Sequence, residues 1–138
     1  MEPHGGLPVV QAGAPLDGAP GVLVMVHGRN AAPPNILDLL PRIARAQVAA
    51  LAPTASGRSW YPLSFMAPRE QNEPGISSGL AAIESIVSGL LARGVASRRI
   101  ALLGFSQGAC LTAEFVLRHP RRYGGALVLT GGLIGAPG

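Results

Sequence analysis

Short runs of apolar residues recur along the chain, separated by segments in which the apolar spacing is different. We expect five of these runs to be β-strands, at residues 7–12, Val22–Val26, 48–52, Ile100–Phe105 and 126–130. Val22–Val26 is unbroken and rich in β-branched residues, which is typical of a strand buried on both faces of a sheet. The run at 7–12 is expected to be an additional edge strand.

Between these runs, three segments carry apolar residues at helical spacing. The first begins after Pro33-Pro34-Asn35, the second covers residues 78–93 and ends at Gly94, and the third covers residues 107–119 and is closed by Pro120. Strands that alternate with helices predict an α/β fold with a mainly parallel sheet and helices on both faces. The apolar positions of the first two helices are Ile36, Leu39, Leu40, Ile43, Leu80, Ile83, Ile86, Val87, Leu90 and Leu91.

One connection, at residues 54–77, is much longer than the others and is rich in Pro, Gly, Ser and Asn. It contains Trp60, the only tryptophan of the chain, beside Tyr61. Loops of this length in a compact domain are usually functional or disordered. The segment is therefore a candidate part of a functional site.

The composition indicates one globular domain over residues 1–138 and argues against several functions. Hydrophobic residues make up 48% of the chain and charged residues 13%, unlike a disordered polar chain. All eleven basic residues are arginine, they are scattered, and aromatic residues are only 4%, so no nucleic-acid groove is expected. The single cysteine, Cys110, argues against an internal disulfide and a cysteine-rich metal site.

Membrane insertion and secretion are not expected from the sequence either. Apolar runs such as Val22–Val26 are far shorter than the roughly 18 residues that cross a bilayer. The first six residues lack the basic and then apolar pattern of a signal peptide. We therefore expect a cytoplasmic protein.

The strongest chemical signal is Gly104-Phe105-Ser106-Gln107-Gly108, between a predicted strand and a predicted helix. This is the G-x-S-x-G nucleophile elbow in the strand–turn–helix context that it requires. The tight turn lifts the Ser106 hydroxyl out of the sheet, and Gly104 and Gly108 carry no side chain that would clash there. The helix that begins near Gln107 directs free N–H groups to the place where an oxyanion would form.

Two other glycine-rich motifs fail on these residues. A dinucleotide fingerprint needs glycine where the chain has Ser106, and a phosphate-binding P-loop needs a lysine, which the chain lacks.

A second motif, His27-Gly28-Arg29-Asn30, directly follows the first buried strand. In elbow hydrolases a loop after this strand supplies the second N–H of the oxyanion hole. We assign that role to the backbone N–H of Arg29, beside the N–H of Gln107.

Three stretches of the chain resemble the bacterial phospholipase/carboxylesterase family, relatives of the acyl-protein thioesterases within the α/β-hydrolase fold. They lie around residues 25–30, 60–74 and 102–135, and they read V-H-G-R, then S-W-Y-P-L-S-F-M-A-P-R-E-Q-N-E-P, then L-L-G-F-S-Q-G-A-C-L and T-G-G-L-I-G. The resemblance covers nearly the whole chain from Val22 onward. It implies a serine hydrolase that acts on carboxylic esters or thioesters without a cofactor.

The resemblance also implies roles for single residues. Ser106 would be the nucleophile, and the N–H groups of Arg29 and Gln107 would bind the oxyanion. Trp60 and Tyr61 would form part of the wall of the substrate cleft. The expected partner is a small acyl ester or thioester, and no metal is expected because no His, Asp or Glu cluster has metal-ligand spacing.

The chain departs from the family pattern at two places. Asn30 stands where relatives often have glycine, which would constrain the oxyanion loop differently. In this family the acid and the histidine of the triad follow the nucleophile after later strands, but beyond Ser106 the chain has only Glu114 and His119, both on the predicted nucleophile helix. We therefore expect an α/β-hydrolase fold that is shortened at its C-terminus, without the last strands and the triad Asp and His.

None of the three histidines is a convincing general base for Ser106. His119 lies 13 residues further along the chain, which is about 18–20 Å along a helix axis, and a base must approach within roughly 3 Å. His27 is nearer, at the expected substrate cleft, but its place at the strand end makes it a support for the oxyanion loop. His4 is expected in a mobile N-terminal tail.

Two functions therefore stay open at the level of the sequence. The first is a serine hydrolase of esters or thioesters whose histidine and aspartate lie outside this chain. The second is a non-catalytic hydrolase fragment that at most binds acyl ligands. We expect the isolated chain to be poorly active. We also expect it to self-associate through the strand at 126–130, because an uncovered apolar edge pairs readily with another strand.

Overall fold

The computed structural model describes residues 3–44 and 47–129. Within these residues, five strands form one sheet in the order β1-β3-β2-β4-β5. Strand β1 pairs antiparallel with β3 at one edge, and the other pairings are parallel. The predicted mainly parallel sheet and its additional edge strand are therefore confirmed. The strands are β1 (Val9–Gly13), β2 (Val22–Val26), β3 (Ala49–Pro53), β4 (Ile100–Phe105) and β5 (Gly125–Leu129).

The part of the chain that the structure describes contains four α-helices, α1 (Pro33–Leu37), α2 (Leu40–Ile43), α3 (Gly75–Ala92) and α4 (Gln107–Arg118). The prediction of a single helix after Pro33 is wrong, because α1 and α2 are separate. Pro41 has no N–H to donate to the Leu37 carbonyl, and its ring would crowd that carbonyl in a continuous helix. Pro41 instead lies in the first turn of α2, where its missing N–H costs nothing.

Alternate residues of the two central strands, β2 and β4, face opposite sides of the sheet. On one side they pack with α3 and α4, and on the other they pack with α1 and α2. The predicted α/β fold with helices on both faces is therefore confirmed. The strand residues on the first side are Val22, Val24, Val26, Ile100 and Leu102, and those on the second are Met25, Leu23 and Leu103.

Helix α3 begins three residues before the predicted start and ends before Gly94, which has a φ of 91° that favours glycine. Its length of 18 residues and mean hydropathy of 1.5 would suit a membrane span by those two measures alone. Its apolar stripe, however, is buried in the core with the sheet, which is the usual reason for an apolar helix face in a folded domain. The buried residues of the predicted stripe are Leu80, Ile83, Ile86, Val87 and Leu90, and Leu91 is partly buried.

Strand β5 forms the sheet edge opposite β1, and among the described residues it pairs only with β4. All five of its residues are exposed. Leu127 is 50% exposed, and Val128 and Leu129 are each 37% exposed. The strand was predicted at 126–130, and Thr130 lies outside the described residues. The edge therefore presents apolar side chains beside backbone groups that no described strand pairs.

Candidate active site

The turn between β4 and α4 has the geometry of a nucleophile elbow. Ser106 connects the strand to the helix with φ 57° and ψ −115°, a strained conformation for a residue with a side chain. Its N–H donates to the Leu129 carbonyl of β5 at 2.9 Å, and its own carbonyl accepts from the Cys110 N–H at 3.1 Å. Ser106 itself is exposed. The turn thus presents a serine hydroxyl above the carboxyl ends of the parallel strands.

Glycine is required on both sides of this serine because the backbone packs too closely for a Cβ atom. A Cβ on Gly104 would meet the Gly108 carbonyl and the Thr112 hydroxyl. A Cβ on Gly108 would meet the backbone carbonyls of Val26 and His27 at the end of β2. The two glycines therefore let α4 approach both strands.

The first residue of α4 ties the elbow to the long connection at residues 54–77. The Gln107 N–H belongs to the first turn of the helix, where backbone N–H groups have no partner within the helix. Its side chain is buried. The Gln107 Oε1 atom accepts from the Trp60 N–H at 2.8 Å, and Nε2 donates to the Tyr61 carbonyl at 2.7 Å and to Ser59 Oγ at 3.2 Å. Sequence reasoning assigned a role to the Gln107 backbone and missed this role of its side chain.

The loop after β2 is fixed to the same connection by its arginine. The Arg29 guanidinium donates to the carbonyls of Pro62 and Leu63, at 2.7 and 2.8 Å. Its backbone N–H donates to no other described group. Asn30 follows with a φ of 64° and donates its N–H to the Arg58 carbonyl at 2.8 Å. Asparagine tolerates this left-handed conformation better than most residues, so the loop accommodates Asn30 where a glycine was expected.

The serine, the arginine and the glutamine line one cavity of about 260 Å³. The same cavity is lined by Tyr61, whose hydroxyl is buried. Burial raises the pKa of the Tyr61 hydroxyl, and the neighbouring Cys110 raises it further, so the group stays protonated at neutral pH. The complete lining is Arg29, Tyr61, Ser64, Phe65, Ser106, Gln107 and Cys110.

Three of these lining residues were not assigned to the site from the sequence. Ser64 and Phe65 belong to the irregular connection, which has no periodicity that would show which side chains face inward. Cys110 was expected to be a small buried residue of α4; it is buried, and it also borders the cavity. Its position one turn after Ser106 is the signal that could have placed it there, since residues four apart share a helix face.

A second cavity, of about 320 Å³, borders the loop after β2. It is lined by His27, Gly28 and Asn30, by Ile36 and Leu39, and by Phe105, which is 46% exposed. A Cβ on Gly28 would lie 3.1 Å from the Phe105 carbonyl, so the loop and the elbow are nearly in contact there. The two cavities therefore flank the point where the loop meets the elbow.

His27 and Trp60, which were expected at the substrate cleft, do not line the cavity that contains Ser106, and His27 lines the second cavity instead. Both are buried. The indole N–H of Trp60 donates to the His27 carbonyl at 2.8 Å, and the two rings stack at 5.1 Å. Tyr61, the third residue of that prediction, does line the cavity.

The other two histidines also lie away from Ser106. His119 follows the last turn of α4, stacks on Phe115 at 4.8 Å and lies 3.6 Å from a Glu84 carboxylate oxygen. The prediction of a mobile tail at His4 is wrong, because His4 is only 4% exposed and is held by hydrogen bonds. Within residues 3–44 and 47–129, no group of three or more His, Cys, Asp or Glu side chains is placed to hold a metal ion.

Known proteins agree with this architecture. A crystal structure of a phospholipase/carboxylesterase from Dyadobacter fermentans is 41% identical, with a TM-score of 0.94, and the match covers 99% of this chain and 65% of that one. The chain thus spans less than two thirds of the length of that relative. No curated protein gives a significant match.

Two more distant structures show the same fold and no more than the fold. Esterase PE8 is 21% identical with a TM-score of 0.75, over 93% of this chain and 65% of that one. SOBER1 from Arabidopsis thaliana is 23% identical with a TM-score of 0.63, over 80% of this chain and 61% of that one. The sequence model of the phospholipase/carboxylesterase family matches residues 18–137. The chain therefore has an α/β-hydrolase fold and belongs to the phospholipase/carboxylesterase family.

Proposed function

We propose that the chain carries the nucleophile and the oxyanion hole of a serine hydrolase that acts on carboxylic esters or thioesters. The observation that supports this proposal most is the conformation of Ser106, at a strained turn that opens on a cavity. Gln107 and Arg29, whose backbone N–H groups are the proposed oxyanion donors, line the same cavity. A nucleophile and two donors around one space are the elements that acyl transfer needs.

In the proposed reaction, the Ser106 Oγ attacks the carbonyl carbon of the acyl group, and its proton passes to a general base. The carbonyl oxygen becomes an oxyanion that accepts hydrogen bonds from the N–H groups of Gln107 and Arg29. The intermediate collapses, the C–O or C–S bond breaks, and the alcohol or thiol leaves with a proton. Water then hydrolyses the acyl-serine ester. The loss of one such donor costs about 10²–10³ in kcat in a serine protease.

The Arg29 side chain has a positioning role in this proposal. Its two hydrogen bonds to the carbonyls of Pro62 and Leu63 fix the loop that carries the proposed backbone donor. The Gln107 side chain fixes the elbow to the same segment. Preorganised donors stabilise a transition state without reorganisation during the reaction. The proposed reaction uses no cofactor, because a serine and backbone N–H groups supply the chemistry.

The general base is not one of the three histidines of the chain. Both ring nitrogens of His4 and of His27 are engaged in hydrogen bonds to the backbone. His119 lies at the far end of α4. A serine hydroxyl without an adjacent base is a weak nucleophile at neutral pH. We therefore expect slow turnover by this chain alone, and we expect that turnover to depend on Ser106.

The hydrogen bonds that engage both ring nitrogens of His4 and of His27, and the place of His119 at the end of α4, favour a second candidate function. A hydrolase domain with an oxyanion hole and no base could bind acyl ligands without turning them over. In that case the cavity beside Ser106 would be an acyl-binding site. The two candidates differ in whether a covalent acyl-serine ester forms.

The hydrolysis of p-nitrophenyl acetate and of a short acyl thioester separates the candidates. We expect the chain to hydrolyse both slowly, and we expect Ser106→Ala to reduce the rate to the rate in buffer. Ser88→Ala is the matched control, because Ser88 is an exposed serine of α3 that hydrogen-bonds to Glu84 and lies outside the cavity. Equal rates for the chain and for Ser106→Ala would reject the hydrolase and leave the acyl-binding function.

A further inference from the structure

His4 lies outside the segment that the family model matches, yet it is built into the core beneath the candidate active site. Its backbone N–H donates to Ser78 Oγ on α3 at 2.9 Å. Its ring meets the Trp60 ring edge-on at a centroid distance of 4.9 Å. The Nε2 atom lies 2.8 Å from the Trp60 carbonyl, and Nδ1 lies 3.0 Å from the Ser56 backbone nitrogen.

His27 approaches the same segment from the end of β2. Its Nε2 atom lies 3.2 Å from the Ala55 backbone nitrogen, and its Nδ1 lies 2.8 Å from the Gly28 carbonyl. Trp60 therefore contacts an imidazole of His4 and an imidazole of His27. Two consecutive backbone N–H groups, those of residues 55 and 56, each donate to one of these rings.

These contacts determine the proton state of both rings. A backbone N–H can only donate, so Nδ1 of His4 and Nε2 of His27 must be unprotonated acceptors. The other nitrogen of each ring faces a carbonyl and therefore carries the proton. Both histidines are thus neutral in this arrangement. A second proton on either ring would place N–H against N–H and break the hydrogen bond to residue 55 or 56.

The segment that the two rings hold is bonded directly to the elbow. The Trp60 backbone N–H donates to Gln107 Oε1 at 2.8 Å, and the indole N–H donates to the His27 carbonyl at 2.8 Å. Gln107 is the residue after Ser106. A shift of the segment at residues 55–60 would therefore reach the proposed oxyanion hole through one hydrogen bond.

We propose that His4 is a positioning residue of the active site. Together with His27 it holds residues 55–60 against the elbow while both rings are neutral, and protonation of each ring releases the part of the segment that this ring holds. The part of this proposal that concerns the oxyanion hole rests on the proposed hydrolase function. The contacts that position Trp60 do not depend on that function, and they can be measured without a substrate.

Burial and the neighbouring charges determine the pH at which either ring gains a second proton. Burial lowers the pKa of His4 below the ordinary value of 6.5, and the Trp60 carbonyl opposes this effect in part. Burial also lowers the pKa of His27, and the charges of His4 and Arg58 add to the effect. Glu73 borders a shallow cavity with His4, where its carboxylate accepts from the N–H and the hydroxyl of Ser77.

The sign of the pH effect follows from these directions. A histidine whose pKa is lowered in the folded protein stabilises the fold fully above its unfolded value, near 6.5, and loses that contribution as the pH falls through the lowered pKa. The segment is thus expected to be held at pH 7.5 and to be released at a pH below 6.5.

Emission from Trp60 reports the release directly, because Trp60 is the only tryptophan of the chain. We expect the emission to change in a reversible transition below pH 6.5, while the far-UV circular dichroism stays constant. His4→Gln keeps an amide that can accept and donate but cannot titrate, and we expect it to lose at least half of the amplitude. His119→Gln is the matched control and should keep the full transition.

Hydrogen exchange at pH 7.5 provides a second readout. His4→Phe keeps an aromatic ring on Trp60 but removes both ring hydrogen bonds. We expect at least tenfold faster exchange of the Ser56 amide in His4→Phe, and near-normal exchange in His4→Gln.

Three results would overturn the proposal. The first is no emission transition below pH 6.5 for as long as the wild-type chain stays folded by far-UV circular dichroism, and the second is an unchanged transition in His4→Gln. The third is unchanged exchange of the Ser56 amide in His4→Phe. None of these measurements needs hydrolysis, so they fail or succeed independently of the proposed activity.

Discussion

The side chain of Gln107 is the strongest connection between the elbow and the segment beneath it, and its removal is a test of the site's architecture. Gln107→Leu keeps a side chain of similar size and leaves the backbone N–H in place. It removes the hydrogen bonds to the Trp60 N–H, the Tyr61 carbonyl and Ser59 Oγ. The change therefore separates the positioning role of the side chain from the proposed role of the backbone.

The magnitude follows from the burial of the Trp60 N–H. Trp60 is 0% exposed, so water does not replace its lost partner, whereas the Tyr61 carbonyl keeps the hydrogen bond from Ser59 Oγ at 2.8 Å. An unpaired buried donor costs about 1–3 kcal/mol. We therefore expect a loss of about 2 kcal/mol in the free energy of unfolding. With a urea m-value of about 2 kcal/mol per M, the midpoint would fall by about 1 M.

The assay is urea unfolding, followed by Trp60 emission and by far-UV circular dichroism in parallel. Gln71→Leu is the matched control, because Gln71 belongs to the same connection between β3 and α3 and is exposed. We expect the control to change the midpoint by less than about 0.3 M, as is usual for a surface substitution. A loss in the free energy of unfolding below about 1 kcal/mol in Gln107→Leu, or a loss equal to that of the control, would refute the proposed connection between Gln107 and the segment that contains Trp60.

Three further results are expected. Gly108→Ala would force a Cβ against two carbonyls at the end of β2. We expect urea unfolding to show a loss of about 3 kcal/mol in the free energy of unfolding. The control Gly89→Ala, which adds a Cβ in open space on α3, should raise that free energy by about 0.5–1 kcal/mol. Leu127→Glu on the exposed edge strand should reduce self-association in sedimentation velocity. The control Leu117→Glu, at a helix residue that is 62% exposed, should leave it unchanged. A wild-type chain that sediments as a monomer at high concentration would contradict self-association through this edge. The hydrogen bond from an arginine lowers the pKa of the Glu84 carboxyl below its ordinary 4.5. Glu84→Gln should therefore reduce the free energy of unfolding by about 0.5–1 kcal/mol at pH 7, and this loss should shrink as the pH falls below 4.5. A loss that is independent of pH would contradict the pairing.

The features that the sequence predicted well are those that local residues determine. Val22–Val26 and Ile100–Phe105 are strands with the predicted bounds because continuous apolar runs of that length must be buried on both faces. The turn at Ser106 could be predicted because its two glycines are required by contacts with the adjacent strand and helix. The break at Pro41 is also local, because a proline without an N–H interrupts a helix whatever the apolar spacing around it.

The features that the sequence did not predict depend on contacts between distant residues. His4 reaches Ser56 and Trp60 across more than 50 positions of sequence, and an N-terminal histidine among glycines and prolines carries no sign of burial. Trp60 and Tyr61 are neighbours, yet only Tyr61 borders the Ser106 cavity. In an irregular connection no periodicity shows which side chain points where. The same reason concealed the side-chain role of Gln107.

The central claim is that Ser106 is a nucleophile in a formed oxyanion hole, and covalent labelling tests it most directly. The purified chain is incubated at pH 8 with an excess fluorophosphonate probe, and the adduct is followed by intact-mass spectrometry and mapped by peptide analysis. We expect one adduct per chain, on Ser106, formed slowly because no histidine lies beside it, and none in Ser106→Ala. A folded chain that gains no adduct after prolonged incubation, or that is labelled equally in Ser106→Ala, would contradict the claim.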